Sequence, residues 1–114
     1  MTDRKAQLYG KRLLLPSGAS VPLDHPIAEV VEVDGVFLVR LEVLAKAAYN
    51  ENIFGIAPDG GILWRVQPFS HRGENDPYVG LSVDGARVFA NTWSGFRVEI
   101  DAQTGRILGH KFVK

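Results

Sequence analysis

Residues 28–43 read AEVVEVDGVFLVRLEV. Asp34-Gly35 stands between two valine-rich runs, and a two-residue hairpin loop of this kind needs positive φ at both central positions. That turn fixes the register. Val33 faces Val36, Val31 faces Leu38, and Glu29 faces Arg40 as an opposite-charge cross-strand pair. On the other side Val30 meets Val39 and Ala28 meets Leu41. Successive strand side chains point to opposite faces, and here both faces are apolar. A hairpin apolar on both sides has to be covered on both sides, so these two strands are expected at the centre of the fold.

Similar hairpin patterns flank this one. QLYGKRLLLPSGASVPL (7–23) turns at Pro16-Ser17-Gly18, where proline pre-sets φ and glycine accepts a positive φ. NIFGIAPDGGILWRV (52–66) turns at Pro58-Asp59-Gly60-Gly61, with Phe54, Ile56, Ile62, Trp64 and Val66 expected on one face. YVGLSVDGARVFANTW (78–93) turns at Asp84-Gly85. There Val79, Leu81 and Val83 are expected against Ala90, Val88 and Ala86, with Tyr78, Ser82, Arg87 and Asn91 on the opposite face. FRVEIDAQTGRILGHKF (96–112) has a longer turn that Asp101 caps and Gly105 closes. Short β-prone runs at regular spacing are the mark of an all-β chain. The expectation is one all-β domain over residues 1–114, an antiparallel meander of about ten short strands, closed as a small barrel or folded as a sandwich. Only EVLAKAAYN (42–50) has helical character, enough for a turn or two. QPFSHRGENDPYV (67–79) reads as a long polar loop.

The third and fifth hairpins share a plan: alternating apolar residues, an Asp/Gly turn, then Ile-Leu. EIDAQTGRIL (99–108) and GGILWRV (60–66) resemble the repeats of quinoprotein-like (PQQ-type) β-propellers, and the likeness runs over residues 50–112. Those repeats carry a "D-x-x-T-G" turn followed by a strand ending in tryptophan. The resemblance implies blade-like four-stranded meanders, with that tryptophan docking one blade on the next. Trp64 stands at the tryptophan position of one copy and Gly109 at that of the other. A closed propeller takes four or more such blades, so the chain is read as half-propeller-like, completed by a second copy or standing alone. The resemblance implies no quinone.

With 13 basic and 13 acidic side chains the formal net charge is zero, which gives no electrostatic reason to expect nucleic acid as a partner. There are no cysteines, which removes disulfides, thiolate metal ligands and cysteine nucleophiles. The N-terminal MTDRKAQLYG has no apolar signal-peptide core, and no apolar run reaches membrane-spanning length. A cytoplasmic protein away from membranes is expected. His25, His71 and His110 do not stand at metal-ligand spacing, and phosphate-binding glycine motifs are missing, so no metal and no cofactor are expected. Ser70 and His71 with Glu74 and Asp76 read as a solvated polar loop, since no nucleophile elbow surrounds the serine. Catalytic residues are therefore not assigned, and an enzyme is not the expected reading.

What remains is surface. Trp93 in the TWSG turn (92–95) is either a lid over an open end of the fold or an exposed anchor for a partner. Phe69, Arg72, Asn91 and Tyr78 are the residues expected to join it. Trp93 beside Phe69 on a convex surface would mark a protein partner or homo-oligomer. A concavity lined by Trp93, Asn91 and Tyr78 would mark a small-ligand pocket at a barrel mouth. The expected role is a non-enzymatic binding or interaction domain of a small bacterial protein, with the ligand-binding barrel as its alternative.

Overall fold

The structure, a computed structural model, describes residues 5–43, 49–69 and 75–113. Eleven strands form three antiparallel sheets in chain order. The N-terminal sheet holds β1 (Gln7–Tyr9), β2 (Arg12–Leu14) and β3 (Ser20–Pro22). The central sheet holds β4 (Ile27–Val33), β5 (Val36–Leu41), β6 (Ile53–Ile56) and β7 (Ile62–Arg65). The C-terminal sheet holds β8 (Tyr78–Asp84), β9 (Arg87–Thr92), β10 (Phe96–Ile100) and β11 (Ile107–Phe112). Each sheet is a simple meander in which sequence neighbours pair. The all-β meander is therefore the fold, with one strand more than expected because Gln7–Tyr9 pairs with β2 through a turn at Gly10. Among the described residues no sheet closes into a barrel. The barrel and its mouth are not formed, and the layered alternative is. The short helix expected within 42–50 falls largely on residues outside those described.

The central hairpin explains the layering. Asp34 and Gly35 have φ of 50° and 78°, as a two-residue loop of mirror-image type demands. Val33 pairs with Val36, Val31 with Leu38, Val30 with Val39 and Glu29 with Arg40, as the turn dictates. One face of this sheet supplies Val33, Val36, Leu38, Ile53 and Trp64 to a core shared with Tyr78, Val88, Ala90, Val98 and Ile100 of the C-terminal sheet. The other supplies Phe37, Val39, Leu41 and Ile56 to a core shared with Leu13, Leu15 and Val21 of the N-terminal region. Each such aliphatic side chain stabilises the fold by roughly 1.5–3 kcal/mol relative to exposure. The molecule is thus three layers around two separate cores.

Bulges correct the expected faces. An irregularity between Ile27 and Glu29 gives Leu41 the partner Ile27 in place of Ala28. Another between Gly55 and Ile56 pairs Ile56 with Ile62 and Gly55 with Trp64. Phe54 and Ile56 therefore face the N-terminal core, Trp64 and Val66 face the C-terminal one, and Ile62 is exposed. Between Glu99 and Ile100 the same kind of shift pairs Ile100 with Ile107 and Glu99 with Gly109. Leu63 and Leu108 are the extra residues at these two places, and both are exposed. An extra residue in one strand changes the parity of everything beyond it.

Trp64 ties the central and C-terminal sheets together. Its indole Nε1–H donates to the Ala102 carbonyl in the 101–105 turn at 2.8 Å. Gly55 and Gly105 leave room for the ring: a Cβ at either would stand 2.1 Å or 2.4 Å from an indole carbon. Asp101 caps the turn, accepting from the Gln103 amide at 2.8 Å, and Gly105 takes φ of 75°. Gly55→Ala is expected to destabilise the protein by roughly 1–3 kcal/mol through overpacking. In a Trp64→Leu background the same substitution should cost much less, which urea unfolding of the four combinations measures. Equal costs in both backgrounds would mean the ring is not what the glycine accommodates.

Candidate interaction surface

The outer face of the C-terminal sheet is a grid set by strand alternation. On β9 the even-numbered Val88, Ala90 and Thr92 are buried, so Arg87, Phe89 and Asn91 point outward. On β10 Val98 and Ile100 are buried, and Arg97 and Glu99 point outward. Register then builds two rows. Asn91, Arg97 and Lys111 stand side by side, and Phe89, Glu99 and Gly109 form the next row. The Arg97 guanidinium lies 4.2 Å from the centroid of Phe89 and that of Arg87 lies 5.0 Å from it. Such contacts contribute about 0.5–1 kcal/mol at exposed sites. Arg87 also grips Glu99 through both oxygens, at 3.0 Å and 2.9 Å. These hydrogen bonds hold the Glu99 carboxyl below its ordinary pKa and push Arg87 up. Asp84, Arg87, Phe89, Arg97, Glu99, Gly109, His110 and Lys111 surround a shallow depression of about 370 Å³, in which Gly109 contributes no side chain.

At the end of β9 the Thr92–Gly95 turn carries Trp93, 69% exposed. The turn is held from beneath by Asp76, which is buried. Its carboxylate accepts from the Ser94 amide at 2.8 Å and the Ser94 hydroxyl at 2.7 Å. Thr92 Oγ1 accepts from the Phe96 amide at 3.1 Å, and the Trp93 amide donates to the Pro77 carbonyl at 3.0 Å. The backbone of Trp93 is therefore fixed while its indole stands in solvent. That settles the choice between lid and exposed side chain in favour of the latter. Ser94 and Asp76 make a hydroxyl–carboxylate pair, but the described histidines lie elsewhere, His25 against Tyr49 and His110 against Phe69 and Phe96. Among the described residues no three His, Cys, Asp or Glu side chains are grouped to hold a metal ion.

The residues expected to join Trp93 are divided by the sheet. Asn91 is exposed on the outer face, in the row below Trp93. Tyr78 is not on that face. A bulge between Tyr78 and Gly80 turns it inward, opposite Thr92, where it is 1% exposed. A concavity of Trp93, Asn91 and Tyr78 therefore does not exist. Tyr78 instead donates to the Gln67 carbonyl at 2.7 Å, and its backbone is bridged to Leu41 by the buried amide of Asn52. Phe69 is half-buried against the core, 4.8 Å from Phe96 and 5.1 Å from His110 between ring centroids, and does not share the exposure of Trp93. Arg72, like Ser70, His71 and Glu74, lies outside the described residues. The turn of the β8–β9 hairpin also sits one residue later than expected, so that Val83 pairs with Val88 and Leu81 with Ala90. Glu99, on the neighbouring strand, is reached by Arg87. Phe89, Arg87, Arg97 and Lys111 were the residues missed as a group. Their signal was an aromatic at an odd position of a run whose even positions are core.

A family model described as a domain of unknown function (DUF7957) matches residues 4–112. The chain belongs to that family. No curated protein matches it. Within this family member no described helix is long and apolar enough to cross a membrane.

Burial pushes the Tyr78 phenol pKa far up, and the charge of Asp76 adds to the shift. The fold thus favours the neutral phenol. Its contribution is complete below the unfolded value of about 10 and is lost as pH rises beyond it. Wild type should lose stability more steeply than Tyr78→Phe above about pH 10, whereas near neutrality the variant is weaker by about 1 kcal/mol for the missing hydrogen bond. Urea unfolding across that range checks both, and parallel curves would contradict the assignment.

Proposed function

We propose that this domain is a non-enzymatic protein-interaction module that presents the outer face of its C-terminal sheet, with Trp93 as the anchor. The observation that carries the reading is a largely exposed tryptophan on a turn clamped by a buried carboxylate. An exposed indole on a fixed backbone loses little conformational freedom on binding. Tryptophan and arginine are also the residues that dominate binding hot spots, and Arg97 and Arg87 share this face. The same stack supports a kinship with quinoprotein-like propeller repeats. Successive meanders lie face to face, and the tryptophan of one sits on the "D-x-x-T-G" turn of the next. In this reading the chain is an open stack of blade-like sheets, working in the cytoplasm, where its lack of cysteine carries no cost.

Trp93→Ala is expected to change folding stability by less than about 0.5 kcal/mol, because the side chain is a surface one. It should weaken partner binding by about thirtyfold or more, the scale of a hot spot. Proteins captured from the source cell by wild type and by the variant are identified, and the one lost with Trp93→Ala is rebuilt from purified components for a Kd. Light scattering of the purified domain tells a second copy of this chain from a foreign partner. Equal affinity of both forms for every reconstituted partner would overturn the reading.

A further inference from the structure

The charges of the outer face are not balanced where they stand. Glu99 is engaged by Arg87. Arg97 and Lys111 are direct cross-strand neighbours, and among the described residues neither has a carboxylate within ion-pair distance. Like charges directly opposite one another destabilise a sheet. Asn91, on the other side of Arg97, is neutral and offers no counter-charge. The fold therefore carries a local electrostatic cost that an external anion would relieve. Arg97 is also prepared for one. Its guanidinium carbon lies over the Phe89 ring, 4.2 Å from the centroid, which holds near this face a group able to make a two-pronged grip on carboxylates. Gly109 beside Lys111 leaves the depression open at this point.

We propose that the Asn91–Arg97–Lys111 row binds an acidic, extended protein segment, whose carboxylates lie between Arg97 and Lys111 while an apolar side chain reaches Trp93. The proposal rests on the outer face being the interaction surface. Charge complementarity selects the occupant. A phosphodiester strand is gripped by many cations, whereas this face offers two uncommitted ones flanked by Glu99 and Asp84. In an extended segment every second side chain points the same way, about 7 Å apart, a spacing that lets one or two carboxylates meet this pair and spares the acidic flank.

The test is titration of the isotope-labelled domain with octaglutamate, followed by amide shifts in NMR spectra. Shifts should cluster at Phe89, Asn91, Arg97 and Lys111. The double variant Arg97→Gln/Lys111→Gln should weaken binding by about tenfold or more. A charge-matched double variant at the far sheet, Lys11→Gln/Arg12→Gln, should leave it within about twofold, because screening confines the effect to nearby charges. Both pairs are exposed, so their folding is checked by the unchanged remainder of the spectrum. Equal weakening by both variants, or shifts spread over the whole surface, would reduce the effect to net charge and overturn the proposal. Tighter binding of an oligothymidylate of equal charge would also overturn it, in favour of nucleic acid. A reconstituted partner that depends on Trp93 but is indifferent to Arg97→Gln/Lys111→Gln would leave the interaction surface standing and remove the acidic segment alone.

Discussion

The indole of Trp64 is held between two glycines and bonded to a carbonyl of the next sheet, and the relation between the central and C-terminal layers depends on it. Two flat apolar faces can slide past one another, because hydrophobic contact has no direction. A ring that fits only where side chains are missing, with one N–H that reaches only one carbonyl, removes that freedom. Gly55 lies directly across the strand pair from Trp64, and Gly105 closes the turn that receives the ring. The 101–105 turn thus serves as a socket as well as a strand connection. Asn52 adds a second tie, satisfying backbone groups of Leu41 and Tyr78 from within the core. Glu29 adds a third at the opposite edge, accepting from Arg40 and from the Leu81 amide at 3.0 Å.

Much of this was legible in the sequence where local chemistry alone decides. Asp34-Gly35 fixed a turn, the turn fixed a register, and a register apolar on both faces required a layer on each side. The all-β class followed from spacing in the same way. What escaped was parity. A bulge inserts one residue without any compositional mark, and in doing so it sent Tyr78 inward and separated Trp64 from Phe54 and Ile56. The barrel expectation failed for a related reason. Strand pairing within a hairpin is local, whereas the choice between closing a sheet and stacking it rests on contacts between distant residues. In the candidate surface, Trp93 was legible as a residue the core might not need. Phe89 was not, because an aromatic in a strand is assigned to the interior until its neighbours have been placed there first.

The two outermost faces both carry polar side chains. On the N-terminal sheet Tyr9 bonds Gln7 and Arg12 bonds Ser20, while the C-terminal sheet carries its arginine-rich grid. Neither resembles the apolar faces of the central sheet, so neither invites another layer of the same kind. The C-terminal one also carries an aromatic platform at Phe89 and two cations, Arg97 and Lys111, without a paired carboxylate among the described residues.

Because the two cores meet only through the central sheet, the layers need not open together. The N-terminal layer is made of strands three residues long. Its release would bare Phe37, Val39 and Leu41 while leaving the Trp64 socket and the C-terminal core in place. Backbone amide exchange should then be graded through the thickness of the molecule, fastest in β1 to β3 and slowest in β5, whose residues are covered from above and below. Such a gradient separates the part of the protein that breathes from the part that presents Trp93. The C-terminal sheet can stay rigid while the opposite layer loosens.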